Sequence, residues 1–152
     1  WRLAQLNPDE VAMPYRRIGE EYTPYGHFGY PDYPDGLLRS SAADMGRFLA
    51  AVSNGGGLDG VRILQEDTLL EMFEPVVPEV EPTQGIFWYW TTLDGRDLLG
   101  HSGSDYGVST DLLYDPSTGI GVVVMTNVEW GENVTRPVVE IERLLFAAGE
   151  AL

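Results

Sequence analysis

His101 and Ser102 stand side by side in Leu98-Leu99-Gly100-His101-Ser102-Gly103-Ser104, where an apolar run ends in polar residues and glycine. An imidazole moves protons near neutral pH, and a hydroxyl can donate a hydrogen bond or attack a carbonyl. Glycine in a strand lets a ligand approach the backbone. A self-contained triad could be spelled from His101, Ser102, Ser104, Asp105 and Asp111, but no Gly-x-Ser-x-Gly elbow presents a serine for attack. With no Cys there is no thiol nucleophile, thiolate zinc site or disulfide, and two His without His-Glu-x-x-His give no expectation of a metal. No cofactor is expected. Gly55, Gly57 and Gly60 spell a dinucleotide-binding pattern, but they follow a helical stretch rather than a strand, so they read as a helix end and a turn.

The surrounding residues predict strands joined by short turns. Gly107-Val108-Ser109-Thr110-Asp111-Leu112-Leu113-Tyr114-Asp115 follows a tight connection from Gly103. Asp115-Pro116-Ser117-Thr118-Gly119 is a turn in which Pro fixes one dihedral and Gly closes the loop. Gly119 to Asn127 is a further strand, near-continuous in apolar residues, which predicts burial on both faces and a central position. Upstream, residues 85–93 predict an aromatic strand, and Asp94-Gly95 a hairpin turn into a strand over 97–103. Short connections make all of this an antiparallel meander.

Gly100-His101-Ser102-Gly103, the short loop, Gly107-Val108-Ser109, Tyr114-Asp115-Pro116, Gly119 to Val124 and Thr126-Asn127, in that order, resemble the serine beta-lactamase-like superfamily. That group holds class C beta-lactamases, D-alanyl-D-alanine carboxypeptidases and related esterases. The resemblance implies an α/β fold of the α+β type, an antiparallel sheet flanked by helices. It identifies His101-Ser102-Gly103 with the family's third motif, on the strand beside the active site. His101 would support substrate and base, Ser102 would offer its hydroxyl to a substrate carboxylate or carbonyl, and Gly103 would let substrate approach. The N–H of Ser104 would be one oxyanion-hole donor. Tyr30 and Asn127 are carried as substrate-binding positions on the same basis.

The rest of the family pattern is missing. All nine basic residues are Arg, so Ser-x-x-Lys cannot occur, and none of the eight Tyr has Asn two residues later. The resemblance thus covers the family's C-terminal half. One reading is the C-terminal part of a serine hydrolase that lacks its nucleophile and is inactive alone. The alternative is a non-catalytic remnant or binding module of the same fold. The partners expected are the N-terminal part of the same hydrolase, or a second copy joined through strand 119–127, and a small ester, amide or peptide substrate. The first residue is Trp1 and no signal is recognised, so a piece of a longer polypeptide or a processed product is expected; the compartment stays unassigned.

At 152 residues one domain, 1–152, is expected, able to bury about 70% of its unfolded surface. The 24 acidic residues and a net charge of -15 repel nucleic acid and anionic lipid, and neither is an expected partner. Residues 14–36 carry four prolines and five tyrosines, which predicts a long ordered loop, and the family resemblance implies that it lies along one wall of the active-site cleft. Ser41 with Asp44 predicts the start of a helix whose buried stripe is Met45, Phe48, Leu49 and Val52. A second helix is expected over 65–74. A last one is expected to start at Thr135, with Pro137 in its first turn and Val138, Ile141, Leu144, Leu145 and Ala148 inward.

Overall fold

In the computed structural model, which describes residues 3–29, 36 and 38–152, the two-residue turns do what their sequences ask. Asp94 and Gly95 both take positive φ, 51° and 81°, which matches the right-handed twist of the strands they join. They connect β5 (Tyr89–Leu93) to β6 (Arg96–Asp105), closing at Leu93 opposite Arg96. Tyr106-Gly107 connects β6 to β7 (Val108–Asp115), closing at Asp105 opposite Val108. Residues 116–119 lead to β8 (Ile120–Thr126), with Gly119 N–H bonded to the Asp115 carbonyl at 2.8 Å. The sheet is antiparallel in the order β5-β6-β7-β8. The aromatic strand is shorter than expected because the chain bends before it: Phe87 has φ 64° and Ile86 N–H bonds to Met72 on another segment.

Alternation along these strands builds two cores. On one face Leu99, Leu112 and Tyr114 pack with Leu49 and Val52 of α1 (Ala42–Ser53), Leu69 of α2 (Glu66–Phe73), and Trp88. On the other, Leu98, Leu113, Val122 and Val124 pack with Val134, Val138 and Phe146 of α3 (Glu132–Glu150). Ser41 caps α1 as its sequence predicts, its Oγ accepting from Asp44 N–H at 3.1 Å. At the other end Gly55 and Gly56 turn the chain with φ of 65° and 92°, then lead to the hairpin of β3 (Gly57–Leu58) and β4 (Val61–Arg62). The glycine pattern is therefore a helix end and turn, as read. Both main helices press on β8 where a side chain would collide: a Cβ on Gly121 would meet Leu49, and one on Gly149 would lie 2.9 Å from Ile120.

Three expectations need correction. Residues 14–29 are not part of one long loop. They include a hairpin of β1 (Tyr15–Ile18) and β2 (Glu21–Pro24), whose turn uses Gly19 at φ 63°. The prolines flank the hairpin or stand at its last position, where no ladder donor is lost from its middle. Next, α3 starts at Glu132 behind Gly131, so Pro137 lies in the second turn and Thr135 donates back to the Gly131 carbonyl at 3.1 Å. Finally, the buried stripe of α3 is Val134, Val138, Glu142 and Phe146, while Ile141, Leu144 and Leu145 are 43%, 70% and 41% exposed. The four-residue spacing that seats Phe146 and Val138 carries a glutamate inside with them.

β8 has helices on both faces, as its apolar run predicted. In the strand order it is last. Among the described residues the only pairing past it is at its C-terminal end, where Tyr15 N–H bonds to the Asn127 carbonyl at 2.9 Å and Tyr15 bridges to Val128. No described helix is long and apolar enough to cross a membrane.

Candidate active site

The register of β6 decides which backbone groups are free. Two-residue turns close on hydrogen-bonded pairs, here 93 with 96 and 105 with 108. Counting back in twos, residues 96, 98 and 100 direct N–H and C=O to β5, and residues 101, 103 and 105 direct theirs to β7. β5 pairing ends at Tyr89 opposite Gly100. The main-chain groups of Ser102 and Ser104 therefore lie on an edge with no described strand beside it; those of Ser102 meet His101 and Tyr89, and Ser104 is where a substrate carbonyl could add.

His101 is exposed at this edge. Its Nδ1 is 2.7 Å from the Ser102 carbonyl. A carbonyl only accepts, so Nδ1 carries the proton and Nε2 is left for other work. The Tyr89 ring lies 6.0 Å from the imidazole. Burial raises the Tyr89 phenol above its usual range, while the neighbouring Ser102 hydroxyl and N–H oppose that rise. A Cβ at Gly103 would come within 2.5 Å of Thr110 Oγ1, so a side chain there would require the Thr110 hydroxyl to turn away. Its carbonyl accepts from Trp130 Nε1 at 3.2 Å. Ser104 is exposed.

The tip of the β6–β7 hairpin meets the N-terminal segment. Tyr106 packs against Tyr25 at 5.5 Å and Phe28 at 6.4 Å between ring centres, and the Tyr25 hydroxyl bonds to Glu129 at 2.9 Å. Arg39 holds the Phe28 carbonyl at 2.8 Å. Residues 14–29 thus flank the sheet end beyond Ser104. Tyr30 lies outside the described residues. Asn127 is two strands away from the Ser102–Ser104 edge, and its amide donates to the Met13 carbonyl at 2.9 Å. It ties the N-terminal segment to β8. The structure therefore groups His101, Ser102, Gly103 and Ser104 at one edge and sets Asn127 apart from them.

One group was not read from the sequence. Behind the edge, Asp111 lies directly across from Ser102 on β7, on the side that α3 covers. Glu142 of α3 is 3% exposed and reaches Asp111. Burial pushes the Asp111 carboxyl up, with the Glu142 hydrogen bond and the His101 charge working against that rise. Burial, then the charge and hydrogen bond of Asp111, push Glu142 up to about 7. The signal was present: Val134, Val138, Glu142 and Phe146 repeat every four residues, and Ser109-Thr110-Asp111 is a polar run inside a strand.

Among the described residues no group of three or more His, Asp or Glu could hold a metal ion. An open hollow of about 660 Å³ runs along the outer side of α3 past Trp130, Arg136 and Arg143, and no residue of β6 lines it.

No curated protein and no solved structure matches the chain. The beta-lactamase family model does, over residues 3–141, which is most of its length. With a helix-flanked antiparallel sheet and His-Ser-Gly at its open edge, the chain belongs to the beta-lactamase family.

Proposed function

We propose that this chain forms one wall of a serine acyl-hydrolase site, acting on ester, amide or peptide carbonyls. The observation that carries the reading is the free edge of β6 beside an exposed His101. An extended substrate aligns along Ser102–Ser104, its carbonyl oxygen accepts from Ser104 N–H, and His101 Nε2 faces the reacting groups. A donor in that role contributes roughly 3 kcal/mol to the transition state. The attacking serine and its lysine base come from a segment outside this sequence, which has no Lys. That segment pairs with the outer edge of β8, where Ile120 to Thr126 contains no Lys, Pro or charge to discourage a new strand.

The test has two arms. With the chain alone, a short peptide bearing a free carboxylate should shift the amide resonances of His101 to Ser104 ahead of all others, and nitrocefin and p-nitrophenyl acetate should show no saturable turnover. Shifts centred elsewhere would reject the edge as the binding place. Turnover abolished by replacing a single Ser of this chain would reject the external nucleophile. Without that segment the vacant edge should drive self-association, which sedimentation and hydrogen exchange on residues 120–126 test: a monodisperse monomer with fast exchange along that edge is the contrary result.

A further inference from the structure

Under the candidate site lies a polar cluster that the acyl-transfer reading does not use. Asp111 on β7 stands opposite Ser102 on β6, and Glu142 of α3 comes down on Asp111 from the helix layer. Among the described residues, Asp111 Oδ1 and Glu142 Oε1 are buried without an N–H or O–H donor. Two ionised carboxylates in contact repel each other, and the two buried oxygens have no water to offset it. The groups facing them do not neutralise them. β5 contributes the Tyr89 phenol, β6 the Ser102 hydroxyl and the more distant His101, β8 the apolar Val124, and α3 itself Arg143. Arg143 already binds Asp94 at 2.7 Å and Glu140 at 2.8 Å, and it is only a lesser influence on Glu142.

We infer that Asp111 and Glu142 hold one proton between them, and that this shared proton docks α3 on the sheet and positions Ser102 from behind. As a positioning role it rests on the acyl-hydrolase reading of the edge; the proton sharing itself does not. With the proton in place, one carboxyl donates and the other accepts, and the pair makes a single hydrogen bond across the layer. Without it, two like charges face each other beneath Ser102 and Tyr89. The direction follows from linkage. The folded state keeps a proton that the unfolded chain releases near pH 4.5, so the stability present below that pH is lost as pH rises through about 7. The pair acts as an acid-favouring latch on the wall strand.

Thermal unfolding of the wild type and of Glu142→Gln, from pH 5 to 9, reads this directly. Gln keeps the donor and removes the second charge. The wild-type midpoint should fall as pH rises, the fall should flatten in Glu142→Gln, and the variant should melt above the wild type at pH 8.5. In the wild type, the ¹³C signal of the Glu142 carboxyl and the amide signals of Ser102 and Tyr89 should titrate together. In Asp111→Asn the Ser102 and Tyr89 amides should lose that titration. A Glu142 carboxyl titrating near 4.5, or a Glu142→Gln loss of equal size at every pH, would overturn the proposal. So would wild-type stability at pH 8.5 that rises with added Ca²⁺ or Mg²⁺, because the pair would then be a cation site. None of these readouts uses turnover, so an absence of hydrolysis leaves them intact.

Discussion

Two acids on the same face of β7, Asp115 buried and Asp111 half-buried, have opposite surroundings. Asp115, at the strand end, is 2% exposed and fully served: its Oδ1 accepts from Ser117 N–H at 2.8 Å, Ser117 Oγ at 2.6 Å and Thr118 N–H at 3.3 Å. Its Oδ2 faces Arg96 at 3.5 Å, and Arg96 in turn holds Glu150 of α3 at 2.5 Å. Burial alone would raise its pKa, but the Ser117 and Thr118 hydrogen bonds outweigh burial and hold the carboxyl below its usual range. Asp111, four residues earlier, has another acid for its partner and is raised. Burial is common to both sites; the number of donors decides which acid stays charged. The two therefore respond to pH with opposite sign. Asp115 contributes stability that is present above its unfolded pKa near 4 and lost as pH falls through its lower folded value. The Asp111–Glu142 pair loses its contribution as pH rises.

The contrast can be broken most forcefully at Asp115. Asp115→Ala strands three donors and the Arg96 charge, and should cost about 3 kcal/mol by urea unfolding at pH 7. A loss under about 1 kcal/mol would mean that the turn supports itself. A smaller effect is expected from Arg96→Gln, which leaves the turn donors in place. Its mark should be a shift: the acid loss of stability moves to higher pH, because the cation holding Asp115 ionised is gone. An unmoved acid limb would assign the lowered pKa to Ser117 and Thr118 alone. The smallest effect sharpens the other member of the comparison. If α3 is rotated to bury Glu142, Leu144→Gln should change stability by no more than about 0.5 kcal/mol, since Leu144 is 70% exposed. A loss of about 2 kcal/mol or more would put Leu144 in a core and turn Glu142 outward.

This rotation marks the limit of what the sequence makes legible. The meander could be read because each of its signals is local: Asp94-Gly95 can hardly be anything but a hairpin turn, and Asp115 to Gly119 holds its own carboxylate cap. The same holds for Ser41 and Asp44 at the start of α1. The cluster His101 to Ser104 was legible from its motif and flanking turns, and the structure keeps those residues together at one edge. What was not legible depends on contacts across the sheet. The sum of apolar residues on α3 favours the stripe through Ile141, Leu144 and Leu145, yet Phe146 is the side chain that fills the space over Leu98 and Val122. Glu142 goes inside because Asp111 is there to meet it, thirty-one positions away in the chain. The β1–β2 hairpin was hidden by prolines that sit at its margins.

The meander also sets the order in which the molecule can assemble. Each strand of the main sheet pairs with its neighbour in sequence, across connections of two to four residues. Such contacts carry little loop-closure entropy, and hairpins of this kind form in roughly 1–10 μs. The helix α1 has a longer search, because Leu49 must find Gly121 across more than seventy residues. Sheet residues 89–126 are thus the natural nucleus, and α1 docks on a surface that already exists. His101 lies inside that nucleus, so β6 takes its register before α1 closes over one face of the sheet.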